Sequence, residues 1–213
     1  MKLDHLLTAS ALTLVFGGIA CRFGDDSVPA PDLAAPAAVA VEEPAAVFEA
    51  DGSLVRPRGY RRWIFVGAPL TPNDMNDGHA AFPEFHGVYV DPGSYDHFKE
   101  TGKWRDGTVM VKELSTVGAK SSTSGKGYFM GRFTGVEVSV KDSTRFRDQP
   151  GHWAFFRFTD EAGGPVHRRA KALPADSCAA CHKASADDDS VFTQHYPVLR
   201  AAKSFGKGEP EDR

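Results

Sequence analysis

The pentapeptide Cys178-Ala179-Ala180-Cys181-His182 constrains this 213-residue chain more than any other stretch. C-x-x-C-H is the attachment pattern of c-type haem. The spacing has a chemical reason. Two thiols must add to two vinyl groups along one haem edge, and the adjacent histidine must reach the iron from one face. A chain that does this needs a cavity for a large apolar disc, with Cys178 and Cys181 as covalent anchors and His182 as the metal ligand. The third cysteine, Cys21, lies far upstream, so no ordinary disulfide framework competes for the pair. Other uses of the motif are weaker. A zinc site could recruit His195, but no second histidine follows it at finger spacing. A redox dithiol belongs at a helix start after a strand, whereas the turn-rich AKALPADS precedes this one. Chance occurrence on a loop is the remaining alternative.

The motif stands near the chain end, and no methionine follows His182. Small electron-transfer cytochromes usually supply a downstream methionine as second axial ligand. Met75, Met110 and Met130 all lie upstream, without a recognisable ligand loop. The sequence therefore points to iron held by His182 on one side and open on the other. An open site suits small-molecule binding or catalysis better than simple electron relay.

The first residues read as an export signal over 1–20: a basic Lys2, an apolar run from Leu6, and small residues before Cys21. The run is short for a membrane span. Gly18-Ile19-Ala20-Cys21 is similar to a lipoprotein cleavage site, which would place a lipid anchor on Cys21; ordinary cleavage after Ala20 is the alternative. An Ala/Pro-rich tether over 21–47 follows. The domain is expected over 48–205 and a disordered tail over 206–213. Export with a lipid or a free terminus places the protein in the periplasm. A net charge of −3 argues against a nucleic-acid partner.

Strand-like runs recur between turn signals: Arg61–Gly67, His86–Asp91, GTVMVKEL, Gly127–Phe133, Val136–Asp142 and His152–Asp160. SYDHFKETG and SVFTQHYPVLRAAKSF read as helices, with Pro197 kinking the second or starting another. The pattern predicts an α+β domain, mostly antiparallel sheet with short helices. Fifteen phenylalanines suit such a core or an apolar cofactor pocket.

Within DGTVMVKEL, Val109 and Val111 share one face while Met110, Lys112 and Leu114 share the other. A lysine between two apolar residues is unusual there. It is either an exposed or edge-protecting strand lysine, or an amine whose apolar surroundings favour the neutral, nucleophilic form.

These segments together resemble the cytochrome P-460 family. The resemblance is carried by GYRRWIFVGAPLTPNDMNDG, VYVDPGSY, GKWRDGTVMVKEL, GYFMG, VEVSVKDSTRF, WAFFRF, LPADSCAACH and VFTQHYPVLRAAK. It implies an exported enzyme with one heme c, a homodimer, whose five-coordinate iron oxidises hydroxylamine to nitric oxide and nitrite or to nitrous oxide. Electrons would pass to a soluble cytochrome c. It also implies a covalent bond between Lys112 and a porphyrin meso carbon. The sister group, cytochrome c′-beta, resembles these proteins in fold, lacks the cross-link, caps its distal face with aromatics and binds nitric oxide without turnover. By the same resemblance Glu137 is the candidate proton acceptor and His86, where relatives can carry arginine, a second catalytic group beside the iron. As residues alone, Glu137 could be a solvent-facing strand glutamate and His86 a satisfied strand-end histidine. Arg168 and Arg169 read as surface charges rather than propionate partners, and Asp187-Asp188-Asp189 as a solvated turn and helix start.

Overall fold

A computed structural model of the chain describes residues 44–206. The expected export signal, Cys21 with most of the tether, and the tail beyond residue 206 lie outside them. In chain order the elements are β1 (Val47–Phe48), β2 (Leu54–Val55), β3 (Ile64–Gly67), β4 (Phe85–Val90), α1 (Pro92–Thr101), β5 (Val109–Val117), β6 (Ser121–Ser122), β7 (Gly125–Lys126), β8 (Met130–Lys141), β9 (Trp153–Arg157), β10 (Arg169–Ala170), α2 (Ala179–Ser185) and α3 (Pro197–Gly206). The main sheet has the order β3-β4-β5-β8-β9, and each of its pairings is antiparallel. The fold is α+β, mostly antiparallel sheet with three short helices, as the strand pattern indicated.

Alternation along the central strands decides what each face packs against. Val109 and Val111 of β5, Val136, Val138 and Val140 of β8, and Ala154 and Phe156 of β9 are buried on one face with Leu54, Tyr60 and Phe158. The opposite face places Val88, Val90 and Met110 against Phe98, Trp104, Tyr196 and Leu199. In that second core α1 packs against α3, and α3 against β3. Phe98 and Trp104 stack with ring centroids 4.0 Å apart. Burying each large apolar side chain contributes about 1.5–3 kcal/mol.

Local chemistry fixes the helix that frames this side. Asp91 caps α1 by accepting from Ser94 N at 2.9 Å, and Pro92 occupies the first turn, where its missing N–H costs nothing. The other oxygen of Asp91 accepts from Val109 N at 2.8 Å, tying the helix start to β5. Gly102 ends the helix in the left-handed conformation (φ 67°).

Two elements differ from the sequence expectation, and a third settles between two alternatives. Gly127–Phe133 and Val136–Asp142 are not two strands: β8 runs unbroken from Met130 to Lys141 because register shifts near Ser115 absorb the irregularity at Thr134-Gly135. Arg61 and Arg62 belong to a 3₁₀ turn before β3 rather than to the strand. Pro197 starts α3 after a separate 3₁₀ turn, the second of the two outcomes its ring allowed.

Candidate haem site

Register across four strands creates the first wall of the site. Val88 of β4 lies opposite Lys112 of β5, Lys112 opposite Glu137 of β8, and Glu137 opposite Arg157 of β9. The neighbouring row is Val90, Met110, Ser139 and Phe155. Both rows lie on the sheet face away from the Val136-Val138-Val140 core. The side chains of Lys112, Glu137 and Arg157 form a chain of ion pairs. Lys112 Nζ stands 2.6 Å from Glu137 Oε2, and Arg157 Nε donates to Glu137 Oε1 at 3.1 Å. Lys112 Nζ also lies 5.7 Å from the centroid of the Phe82 ring. Lys112 is thus not in the purely apolar setting that Met110 and Leu114 suggested, because register brings a carboxylate directly beside it.

The second wall comes from the cysteine motif. Arg169 and Ala170 pair with β2, Ala172 bridges to Phe156, and Leu173 N donates to Phe155 O at 2.8 Å. The segment before the motif is therefore held against the sheet edge. Cys178 caps α2, so the motif does open a helix. Three-residue spacing puts the two thiols on one side of it. The two cysteines form no disulfide with each other, and burial pushes the Cys178 thiol above its ordinary value.

His182 follows on the same short helix. Its Nδ1 lies 2.8 Å from Ser190 O, so the protonated Nδ1 donates and the other ring nitrogen carries the lone pair. Its ring packs between Phe155 and Phe192, at centroid distances of 4.5 and 4.7 Å. Burial lowers its proton affinity, against the opposing pull of the Ser190 carbonyl. A neutral imidazole is the form that binds metal.

A single cavity of about 350 Å³ joins the walls; Phe82, His86, Lys112, Glu137, Arg157, Cys178, Cys181 and His182 all line it. This size is within the usual range of small-molecule and cofactor pockets. Val88, Met110, Phe155, Phe192 and Tyr196 supply apolar surface. Met110 lines the cavity, whereas Met75 and Met130 are exposed at 75% and 52% and do not. Among the described residues no cluster of three or more His, Cys, Asp or Glu side chains is placed to hold a metal ion, so the zinc alternative with His195 has no site.

His86 reaches the cavity from β4, with its Nε2 buried and without a protein partner. Burial, aided by the Lys112 charge, lowers its pKa to about 4 from 6.5. It is a neutral hydrogen-bonding group at neutral pH, not a stand-in for arginine's fixed charge. A depressed value means that its contribution to stability is complete above 6.5 and is lost as pH falls toward 4. An NMR titration of the ring should show it uncharged down to about pH 4; a midpoint at 6.5 would contradict this environment.

Glu137 is the converse case. Burial alone would raise its carboxyl, but Lys112 and Arg157 outweigh that and hold it below the ordinary value. Sequence reasoning missed Arg157 and Phe82 as members of the site. Arg157 had a signal, since it shares a strand face with Phe155 in WAFFRF. Phe82 had none, because it sits in a loop. Arg168 and Arg169 are exposed and do not line the cavity. The Asp187-Asp188-Asp189 run is a turn but not a helix start. Asp188 pairs with Lys203 at 2.5 Å and Asp189 with Lys141 at 2.7 Å.

Paired thiols, a neutral oriented imidazole and an apolar cavity between them fit haem, and they define this as a haem-protein site. The family model of cytochrome P460 matches residues 57–193, well over half of the chain, which therefore belongs to the cytochrome P460 family and is a haem protein of an oxidoreductase type. A search of curated proteins finds no match to the chain.

Proposed function

We propose that the chain is an exported hydroxylamine oxidoreductase with one heme c, bound through Cys178 and Cys181, ligated by His182 and cross-linked to Lys112. One observation carries this above the others. The amine of Lys112 and the carboxylate of Glu137 face the same cavity as the two thiols and the imidazole. Haem held there by Cys178, Cys181 and His182 would supply a redox-active metal able to take up a small nitrogen ligand.

The chain's own residues supply the rest. Cys178 and Cys181 fix the cofactor edge, and His182 offers its lone pair with the tautomer set by Ser190. Glu137, held by Arg157 through Nε at 3.1 Å once Lys112 is bonded to the haem, can accept protons from a bound N–H or O–H. Neutral His86 offers a buried ring nitrogen for a hydrogen bond to the substrate. Oxidation proceeds to nitric oxide and nitrite or to nitrous oxide, with electrons passing to an external acceptor such as a soluble cytochrome c. Periplasmic location, a homodimer and a lipid anchor at Cys21 belong to the same proposal and rest on the sequence features described above.

The gas-binding alternative, a nitric-oxide-binding cytochrome of the c′-beta type, has one feature in its favour: the aromatic Phe82 beside Lys112. Purified haem-loaded protein distinguishes the two. Hydroxylamine oxidation with an artificial electron acceptor is the expected result. Tight nitric oxide binding without turnover would replace the enzyme with the gas binder. A low-spin resting iron with a methionine ligand would point to Met110, which lines the cavity, and overturn the open site.

A further inference from the structure

The segment Asp188–Val191 has a feature that its acidic composition does not explain. Asp188 and Val191 bridge each other, and Val191 N donates to Asp188 O at 2.8 Å. The two residues between them, Asp189 and Ser190, both have positive φ, 45° and 67°. Two central residues in that region are the pattern of a tight two-residue hairpin, which normally recruits Asn-Gly or Asp-Gly. A side chain such as serine's is strained in this region and persists only where the surroundings over-determine it.

The surroundings here are specific. Lys203 of α3 holds Asp188 at 2.5 Å, and Lys141 of β8 holds Asp189 at 2.7 Å. Lys141 Nζ also donates to Gly151 O at 2.9 Å and lies 5.6 Å from the Trp153 ring centroid. The Lys141 side chain is 13% exposed and that of Asp189 37%, so the cation is the better shielded of the two. The product of this bracing is one backbone atom in one place: Ser190 O, the acceptor for His182 Nδ1. β8 contributes to both walls, since Glu137 and Lys141 are separated by two steps of the strand's alternation.

We infer that the Asp188–Val191 turn, clamped by Lys141 and Lys203, sets the orientation and ligand strength of the His182 imidazole. Lys141 and Asp189 are positioning residues that act through the Ser190 carbonyl. Outer hydrogen bonds of this kind raise the basicity of a metal-bound histidine and fix its ring. The inference rests on His182 being the iron ligand, and not on hydroxylamine being the substrate.

The test uses haem-loaded Asp189→Asn and Lys141→Met proteins with intact covalent haem. The readouts are the iron–histidine stretching band of the ferrous form by resonance Raman and the reduction potential. Weakening the clamp should move the band to lower frequency, broaden it and raise the potential. Ser190→Gly keeps the carbonyl and suits positive φ, so its band should stay at the wild-type position. If Lys141→Met fails to fold, Asp189→Asn, which keeps the side-chain shape, carries the test alone. An unchanged band and potential in the folded clamp variants would overturn the inference, as would a Ser190→Gly shift as large as theirs. Absence of any iron–histidine band in wild type would instead remove His182 as ligand, and with it the proposed haem geometry.

Discussion

Lys112→Ala should leave one haem on the Cys178–His182 peptide and reduce hydroxylamine turnover to background, while a small ligand such as nitric oxide still binds. Wild-type protein should give a haem joined to two peptides, one with CAACH and one with Lys112. The fold should survive the substitution. The Lys112–Glu137 pair has side chains 28% and 18% exposed, so water can still reach a Glu137 that has lost Lys112. Glu137 also keeps Arg157. Lost turnover in a folded protein is therefore interpretable. Lys112→Arg separates the charge from the covalent role. Its guanidinium can still face Glu137, but it stays protonated and cannot act as a neutral nucleophile. It should match Lys112→Ala in both the peptide map and the turnover. Full turnover in Lys112→Arg would show that a cation beside Glu137 suffices, and haem on CAACH alone in mature wild type would end the cross-link reading.

The two halves of this site were not equally legible. CAACH is contiguous, and its chemistry depends on spacing along the chain, so Cys178, Cys181 and His182 could be assigned from the letters. The faces of β5 and β8 could be read as well, because alternation is local: it put Lys112 with Met110, and Glu137 opposite the valines. Register was not legible. A shift of one residue between two strands exchanges their faces, and nothing in DGTVMVKEL or VEVSV says which residue of one lies beside which of the other. The Lys112–Glu137–Arg157 row follows from that register. Its consequence is a paired lysine where the local sequence suggested an isolated one. The acidic run at 187–189 shows a different limit. Three aspartates look solvated by composition, yet two of them meet lysines 48 and 15 residues away in the chain. The purpose of that turn, a carbonyl aimed at His182, involves a backbone atom that no residue type announces.

Glu137→Gln should lower kcat on hydroxylamine by about 10²- to 10⁴-fold, the usual contribution of a positioned general base, with a smaller change in substrate binding. The amide keeps the size and one acceptor oxygen but cannot take a proton at neutral pH. The pH profile adds a second check. Burial raises the Glu137 carboxyl, but Lys112 and Arg157 together hold it below the ordinary 4.5. The base is thus ionised throughout the neutral range, and the acid limb of kcat belongs below the ordinary carboxylate range where both cations act. The corresponding stability term is complete above 4.5 and is lost as pH falls through the depressed folded value. Cross-linking changes this balance, because an amine bonded to an aromatic macrocycle loses most of its basicity. Arg157 is then the cation that continues to hold Glu137, through Nε at 3.1 Å. Arg157→Gln in the cross-linked enzyme should move the acid limb upward and lower kcat less than Glu137→Gln does, because the carboxylate is still present but less firmly ionised and oriented. Arg157→Lys, which restores the charge, should bring the limb back down. A limb that stays in place in Arg157→Gln would separate Arg157 from the proton transfer. An acid limb unchanged in Glu137→Gln would assign the titrating base to another group.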